Sequence, residues 1–114
     1  LLVEDEAIIG FALEDMIAGE GAETRLAASS SEADGFLDEG RFDAAIVDVN
    51  LNGEYSYPVA ERLSDLGCPI VFATGYGNVT HPERFVDTPT VAKPYDLRSI
   101  LQALEEARRL VAGR

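Results

Sequence analysis

The run Asp43-Ala44-Ala45-Ile46-Val47-Asp48 constrains this chain more than any other stretch, because four apolar residues in a row deliver a single carboxylate. An apolar run without polar alternation is the pattern of a parallel strand buried on both faces. In open α/β sheets ligands bind outside the carboxyl ends of the strands. Asp48 falls at such an end, and other predicted strands end the same way. Glu4-Asp5 follows Leu1-Leu2-Val3, Thr74 follows Ile70-Val71-Phe72-Ala73, and Lys93 follows Thr90-Val91-Ala92. Three acids, one hydroxyl and one lysine at one sheet edge describe a phosphate and metal site rather than ordinary surface.

Strand and helix patterns alternate along the whole chain, with no linker, repeat or low-complexity tract. A first helix is expected over Ala7 to Ala18, with Ile9, Ala12, Leu13, Met16 and Ile17 on one face and Gly19 and Gly21 as its stop. Thr24 to Ala28 reads as a short strand. Ser29-Ser30-Ser31-Glu32 reads as a capping box, opening a helix that buries Ala33, Phe36 and Leu37 and ends at Gly40. Strand three ends at Asp48, and Val49 to Tyr57 is expected to be a loop. Pro58 starts a third helix, with Val59, Leu63 and Leu66 inward and Gly67 as its end. Pro69 to Ala73 is strand four. Gly75 to Pro89 predicts a short or irregular fourth helix, with Asn78 as a candidate cap. Val91-Ala92 is strand five. Asp96 caps a last helix with Leu97, Ile100, Leu101, Leu104, Ala107 and Val111 at core spacing.

This alternation predicts an α/β fold with a parallel sheet covered on both faces. At 114 residues the natural choice is one domain over 1–114: a flavodoxin-like three-layer α/β/α sandwich with a five-stranded parallel sheet in the order 2-1-3-4-5. Its switch point lies between strands one and three, which puts Glu4-Asp5 beside Asp48. A chain of this size buries roughly two-thirds of its unfolded surface and needs no disulfide staples. Cys68, the single cysteine, reads as filler between Gly67 and Pro69 and suits a reducing, cytoplasmic setting.

A net charge of −12 argues against nonspecific binding to nucleic acid or to an anionic membrane. No apolar stretch nears the roughly 20 residues that span a bilayer. The opening Leu1-Leu2-Val3-Glu4-Asp5-Glu6 is not the pattern of a secretory leader. It lacks an initiator methionine and begins inside a strand, as expected of a piece of something longer.

Clustered carboxylates repel, so without a counter-charge at least one takes up a proton. A divalent cation removes that need, and Mg2+, hard and oxygen-loving, suits the set. Asp5 and Asp48 are candidates for direct ligation, Glu4 for ligation through a water, and the backbone carbonyl of Asn50 for a further ligand. With charge neutralised, Asp48 is placed to attack phosphorus. Lys93 offers a positive charge and Thr74 a hydroxyl to phosphate oxygens. Backbone N–H groups near Val49 and Gly75 would complete the cradle. The Lys93-Pro94 bond is a candidate for the cis form, which would aim Lys93 back over the site.

Together these residues resemble the CheY-like receiver domains of bacterial response regulators over nearly the whole chain. Val3-Glu4-Asp5-Glu6 is similar to the acidic-pocket motif, Ile46-Val47-Asp48-Val49-Asn50-Leu51 to the phosphoacceptor motif, Ala73-Thr74-Gly75 to the switch hydroxyl and Val91-Ala92-Lys93-Pro94-Tyr95 to the lysine motif. The resemblance implies a two-component phosphorelay protein. It would be phosphorylated on Asp48 with Mg2+ by a sensor histidine kinase or a histidine phosphotransfer protein, and would lose the phosphate by slow self-catalysis. Such a protein is a switch rather than an enzyme, a monomer or weak dimer. An Mg2+-dependent aspartyl-phosphate phosphatase is the alternative enzyme class, but Asn50 stands where its general acid would be. A pseudo-receiver that has lost phosphorylation is the other alternative, and the intact set of acids, hydroxyl and lysine argues against it.

One departure stands out. Typical receivers carry Tyr or Phe three residues before the lysine, and this chain has Thr90. Phe72-Ala73-Thr74-Gly75-Tyr76-Gly77 partly resembles the motif of the FATGUY receivers, which are mostly stand-alone regulators. His81 reads as a solvated loop histidine, and Arg108, Arg109 and Arg114 as complements to a helix dipole. Tyr55, Tyr57, Tyr76 and Tyr95 form either a partner surface at the pocket rim or half-buried packing. If the switch lies in residues 75–89, a phosphate mimic changes amide hydrogen-exchange protection across that segment, and unchanged protection contradicts it.

Overall fold

The computed structural model describes residues 1–75 and 80–113. Five parallel strands form one sheet: β1 (Leu2–Val3), β2 (Leu26–Ala27), β3 (Ala45–Asp48), β6 (Ile70–Thr74) and β7 (Thr90–Ala92), in the order β2-β1-β3-β6-β7. This is the expected flavodoxin-like order, because two further short strands fall between β3 and β6 in the chain. Helices α1 (Ala7–Ala18), α2 (Ser30–Glu39), α3 (Tyr57–Asp65) and α4 (Leu97–Ala112) cover the sheet. None of the helices in the described residues is long and apolar enough to cross a membrane.

The sheet explains its own sequence. Side chains along a strand alternate between its faces. Val3, Val47 and Phe72 pack with Ala33, Leu37, Val59 and Leu63 of α2 and α3. Their neighbours Leu2, Ile46 and Val71 pack on the other face with Leu13 of α1 and Ile100 of α4. With helices on both sides, every strand position wants an apolar residue, so the runs are continuous.

Helix ends follow the chain's punctuation. Ser29 accepts the Glu32 N–H at 3.1 Å, as the capping box predicts, and the Glu32 carboxylate reaches one residue past the cap to accept the Ala28 N–H at 3.0 Å. Asp96 accepts the Ser99 N–H at 2.8 Å at the start of α4. Gly67 follows α3 with φ of 75°, a conformation that favours glycine.

Two expectations need correction. The Val49 to Tyr57 segment is not simply a loop: β4 (Asn50–Leu51) and β5 (Glu54–Tyr55) form an antiparallel hairpin. Its turn is Asn52-Gly53, both at positive φ (52° and 86°), the pair that a type I′ turn selects. As expected, the fourth helix is short and irregular: among the described residues it is a 3-10 turn, Glu83–Phe85, which buries Phe85. The Asn78 cap, and Tyr76 and Gly77 of the FATGUY-like motif, lie outside the described residues, as does Arg114. Finally, Ala12, Leu66 and Leu101 are exposed, whereas Gly10, Ala60 and Ala103 are buried. Small residues let a helix sit close to the sheet: a Cβ on Gly10 would lie 2.9 Å from Leu26 Cδ2. Such residues carry little hydrophobic signal, so pattern reading places some of them, as Ala33 and Ala107, and misses others.

Neighbouring positions of α1 should therefore behave oppositely. Leu13 is 1% exposed and Phe11 59%. Leu13→Ala is expected to cost about 2–5 kcal/mol in urea unfolding, while Phe11→Ala stays within about 0.5 kcal/mol of the parent. Equal losses would contradict this placement of the helix.

Candidate functional site

Parallel pairing carries four chemically active side chains to one sheet edge. Glu4 follows β1, Asp48 ends β3, Thr74 ends β6 and Lys93 follows β7. Val3 is in register with Val47, Asp48 with Ala73, and Thr74 with Ala92. The ladder continues past the strand ends, because the Glu4 N–H donates to the Ala27 carbonyl and the Lys93 N–H to the Thr74 carbonyl, both at 2.9 Å. Each side chain therefore leaves from a fixed backbone. The Lys93-Pro94 peptide bond is cis.

The Lys93 ammonium lies between two acids. Its Nζ donates to Glu4 at 2.7 and 3.0 Å and to Asp48 Oδ2 at 2.8 Å. Glu4 is 1% exposed and Asp48 5%, so all three groups have lost most of their water. Burial pulls the lysine's pKa down, but the hydrogen bonds to Asp48 and Glu4 outweigh it, and the net displacement is upward. One cation cannot neutralise two anions. Burial and a hydrogen bond with Asp48 push Glu4 up to about 8, against the pull of Lys93. The expected protonation of a crowded carboxylate thus settles on Glu4, the most deeply buried acid.

Carboxylate oxygens of Glu4, Asp5 and Asp48 all lie within 4.8 Å of one another. The hairpin is stitched into this group. The Asn52 N–H donates to Asp5 Oδ2 at 2.9 Å, the Asn50 N–H to Asp48 Oδ1 at 3.2 Å, and the Gly53 N–H to the Asn50 side chain at 2.8 Å. Two cluster acids are thereby held by backbone donors from β4 and its turn. The Val49 N–H, expected to be part of a phosphate cradle, instead donates to the Ala73 carbonyl at 2.9 Å.

Asp5, Asp48, Asn50, Thr74, Gly75 and Lys93 line a common cleft of about 1080 Å3. The structure thus brings together at one sheet edge the residues that the sequence singled out. Sequence reasoning missed the Glu4–Lys93 contact, which nothing local in the sequence signals, since 89 positions separate the partners. Tyr57 stands in the far wall of the cleft, at the rim where the sequence offered it, but beside it is His81, which sequence reasoning left in solvent. His81 is not a solvated loop residue: both its ring nitrogens are hydrogen-bonded, to Tyr57 and to Thr90, each at 2.8 Å. Tyr55 is exposed, while Tyr57 and Tyr95 are half-buried. A second cavity, about 670 Å3, lies at the opposite end of the sheet beneath Leu1, Phe42 and Asp43 and contains none of the cluster residues.

Residues 1–105 match the family described as the response regulator receiver domain. Among solved structures, the chain is similar to SdrG from Sphingomonas melonis Fr1, with 37% identity and a TM-score of 0.82, covering 93% of this chain and 92% of that one. A solution structure of the BeF3-activated conformation of SdrG, from Pseudomonas melonis Fr1, matches at 35% identity and a TM-score of 0.78 over 94% of this chain and 92% of that one. A CheY-like response regulator receiver domain protein from Methanospirillum hungatei JF-1 shares the fold at 20% identity, with a TM-score of 0.81 over 98% and 94% of the two chains. No curated protein matches.

The raised Glu4 pKa has a consequence for stability. The folded protein holds a proton that the unfolded chain releases near 4.5. Without divalent metal, stability should therefore fall as pH rises from about 4.5 to about 8. Glu4→Gln should remove most of that slope in chemical denaturation at several pH values. An unchanged slope would contradict the assignment of the proton.

Proposed function

The chain belongs to the response regulator receiver domain family, and on that premise we propose that it is a signalling phosphoacceptor whose Asp48 takes a phosphoryl group from a phosphohistidine donor. The observation that carries this reading is the Lys93 ammonium, held 2.8 Å from Asp48 Oδ2 inside an acidic cluster at one sheet edge. In the reaction, a carboxylate oxygen of Asp48 forms a bond to phosphorus while the N–P bond to the donor imidazole breaks. The imidazole departs with its electron pair and picks up a proton. Lys93 moves from its carboxylate partners to an oxygen of the new acyl phosphate, a charge-assisted contact that keeps the ammonium paired throughout. The Thr74 hydroxyl donates to another phosphate oxygen.

The donor set fits a hard divalent cation, since three carboxylates offer oxygens close together and carry more negative charge than one lysine balances. Mg2+ would be held by Asp5 and Asp48, with Glu4 and the Asn50 backbone carbonyl completing the set. It would supply charge neutralisation for the incoming phosphoryl group. With the cation bound, Glu4 would ligate as a carboxylate, its proton released to solvent. Asn50 has no acidic proton to offer a leaving group, which favours a switch over a phosphatase. A sensor histidine kinase or a histidine phosphotransfer protein is the partner that would present such a phosphohistidine. We place the protein in the cytoplasm as a monomer or weak dimer, with Asp48 gating its contacts.

Beryllofluoride, which mimics a phosphoryl group on aspartate, tests the reading, and the BeF3-activated form of SdrG supports its use. With Mg2+ present, the wild-type protein should trap it stoichiometrically and Asp48→Asn should trap none. Lys93→Ala should bind Mg2+ at least as tightly, having lost a competing cation, yet hold beryllofluoride at least 10-fold more weakly. Trapping by Asp48→Asn, or no trapping by wild type, would overturn the proposal.

A further inference from the structure

Thr90 leaves β7 without the aromatic ring that typical members of the family carry there, and the structure fills that gap from another segment. The His81 ring packs on Phe72 with centroids 4.6 Å apart and meets Tyr57 edge-on at 5.8 Å. Phe72 is the register partner of Thr90 on the neighbouring strand. An imidazole contributed by the segment before the 3-10 turn thus lies where β6 and β7 meet, and its two nitrogens reach in opposite directions.

The hydrogen-bond chain runs through both ring nitrogens. When Thr90 Oγ1 donates to the Thr88 carbonyl, 3.3 Å away, its oxygen accepts from His81 Nε2–H. In that tautomer Nδ1 accepts the Tyr57 hydroxyl. The sequence is Tyr57 O–H to Nδ1, Nε2–H to Thr90 Oγ1, Thr90 O–H to Thr88. Burial lowers the His81 pKa and raises that of Tyr57, both of which favour these neutral forms. Tyr57 opens α3 and stands with His81 in the wall of the Asp48 cleft, while Thr90 is exposed on the edge strand.

We propose that His81 is a positioning residue that ties the cleft wall at Tyr57 to the edge strand at Thr90, so that filling the Asp48 site is felt on β7 through the imidazole rather than through a strand aromatic. The inference deepens the phosphoacceptor reading and rests on it. A ring supplied by the chain between β6 and β7 does what a ring on β7 itself would do, but through two directional bonds. Because each bond fixes one nitrogen, a shift of the wall alters the bond to the strand. Replacing either outer partner therefore perturbs the other through His81.

Nuclear magnetic resonance of 15N-labelled protein, free and with Mg2+ and beryllofluoride, tests it. The His81 ring should show the Nε2–H tautomer in the free protein. Filling the site should shift the amides of Val49, Gly75 and Thr90. In His81→Phe, which keeps a ring on Phe72 but makes neither bond, the Val49 and Gly75 shifts should persist while the Thr90 shift falls at least threefold. Thr90→Val should move the Tyr57 ring signals in the parent and leave them in place in the His81→Phe background. If His81→Phe does not fold, Thr90→Val alone decides, since it removes one exposed hydroxyl and should lower the response of the backbone amide at position 90 by the same factor while the Val49 and Gly75 shifts persist. An Nδ1–H tautomer, or a Thr90 response as large in His81→Phe as in wild type, would overturn the inference. Absence of every shift in the wild-type protein would overturn the phosphoacceptor reading first and this inference with it.

Discussion

The ammonium of Lys93, held by Glu4 on one side and Asp48 on the other, is the contact on which the rest of the site depends. Two carboxylates with almost no exposure to water would each be costly alone. One lysine relieves most of that cost and leaves a residue of negative charge, expressed as a proton on Glu4. The cluster is therefore pre-loaded to accept positive charge. It is also poised to release its lysine, because a cation entering among the acids weakens their hold on the ammonium. Stability and reactivity have one origin here, since the crowding that makes the edge costly also makes Asp48 a place where charge can be exchanged.

The sheet makes the crowding possible without strain. Parallel register sends the ends of β1, β3, β6 and β7 to the same edge, and the ladder continues one residue beyond β1 and β7 to fix Glu4 and Lys93. On the far side of the acids, the β4–β5 hairpin donates backbone N–H groups to Asp5 and Asp48. Those donors hold the two carboxylates close to each other, Asp48 buried and Asp5 half-buried. An antiparallel sheet would scatter the same four side chains to opposite edges.

Much of this was legible in the chain. The apolar run to Asp48 told of a strand buried on both faces, and the polar residue after each of the other site-bearing strands marked the edge. What could not be read had physical reasons. Asn52-Gly53 carried a hairpin signal, but the strands it joins are two residues long and give no alternation to count. Gly10, Ala60 and Ala103 face inward because the helices approach closely, and small side chains do not register as hydrophobic. His81 looked solvated because a histidine beside a proline in a loop has no local partner. Its partners, Tyr57 and Thr90, are 24 and 9 positions away. Long-range polar pairs of this kind have no periodicity, so only the folded chain reveals them.

Phosphoryl transfer from a small phosphodonor tests Asp48 as the acceptor most directly. Incubation with acetyl phosphate and Mg2+, followed by borohydride reduction and peptide mass spectrometry, should place the reduced acyl phosphate at position 48 alone. Label at Asp5, Glu4 or His81 with Asp48 unmodified, or no metal-dependent label at all, would contradict it.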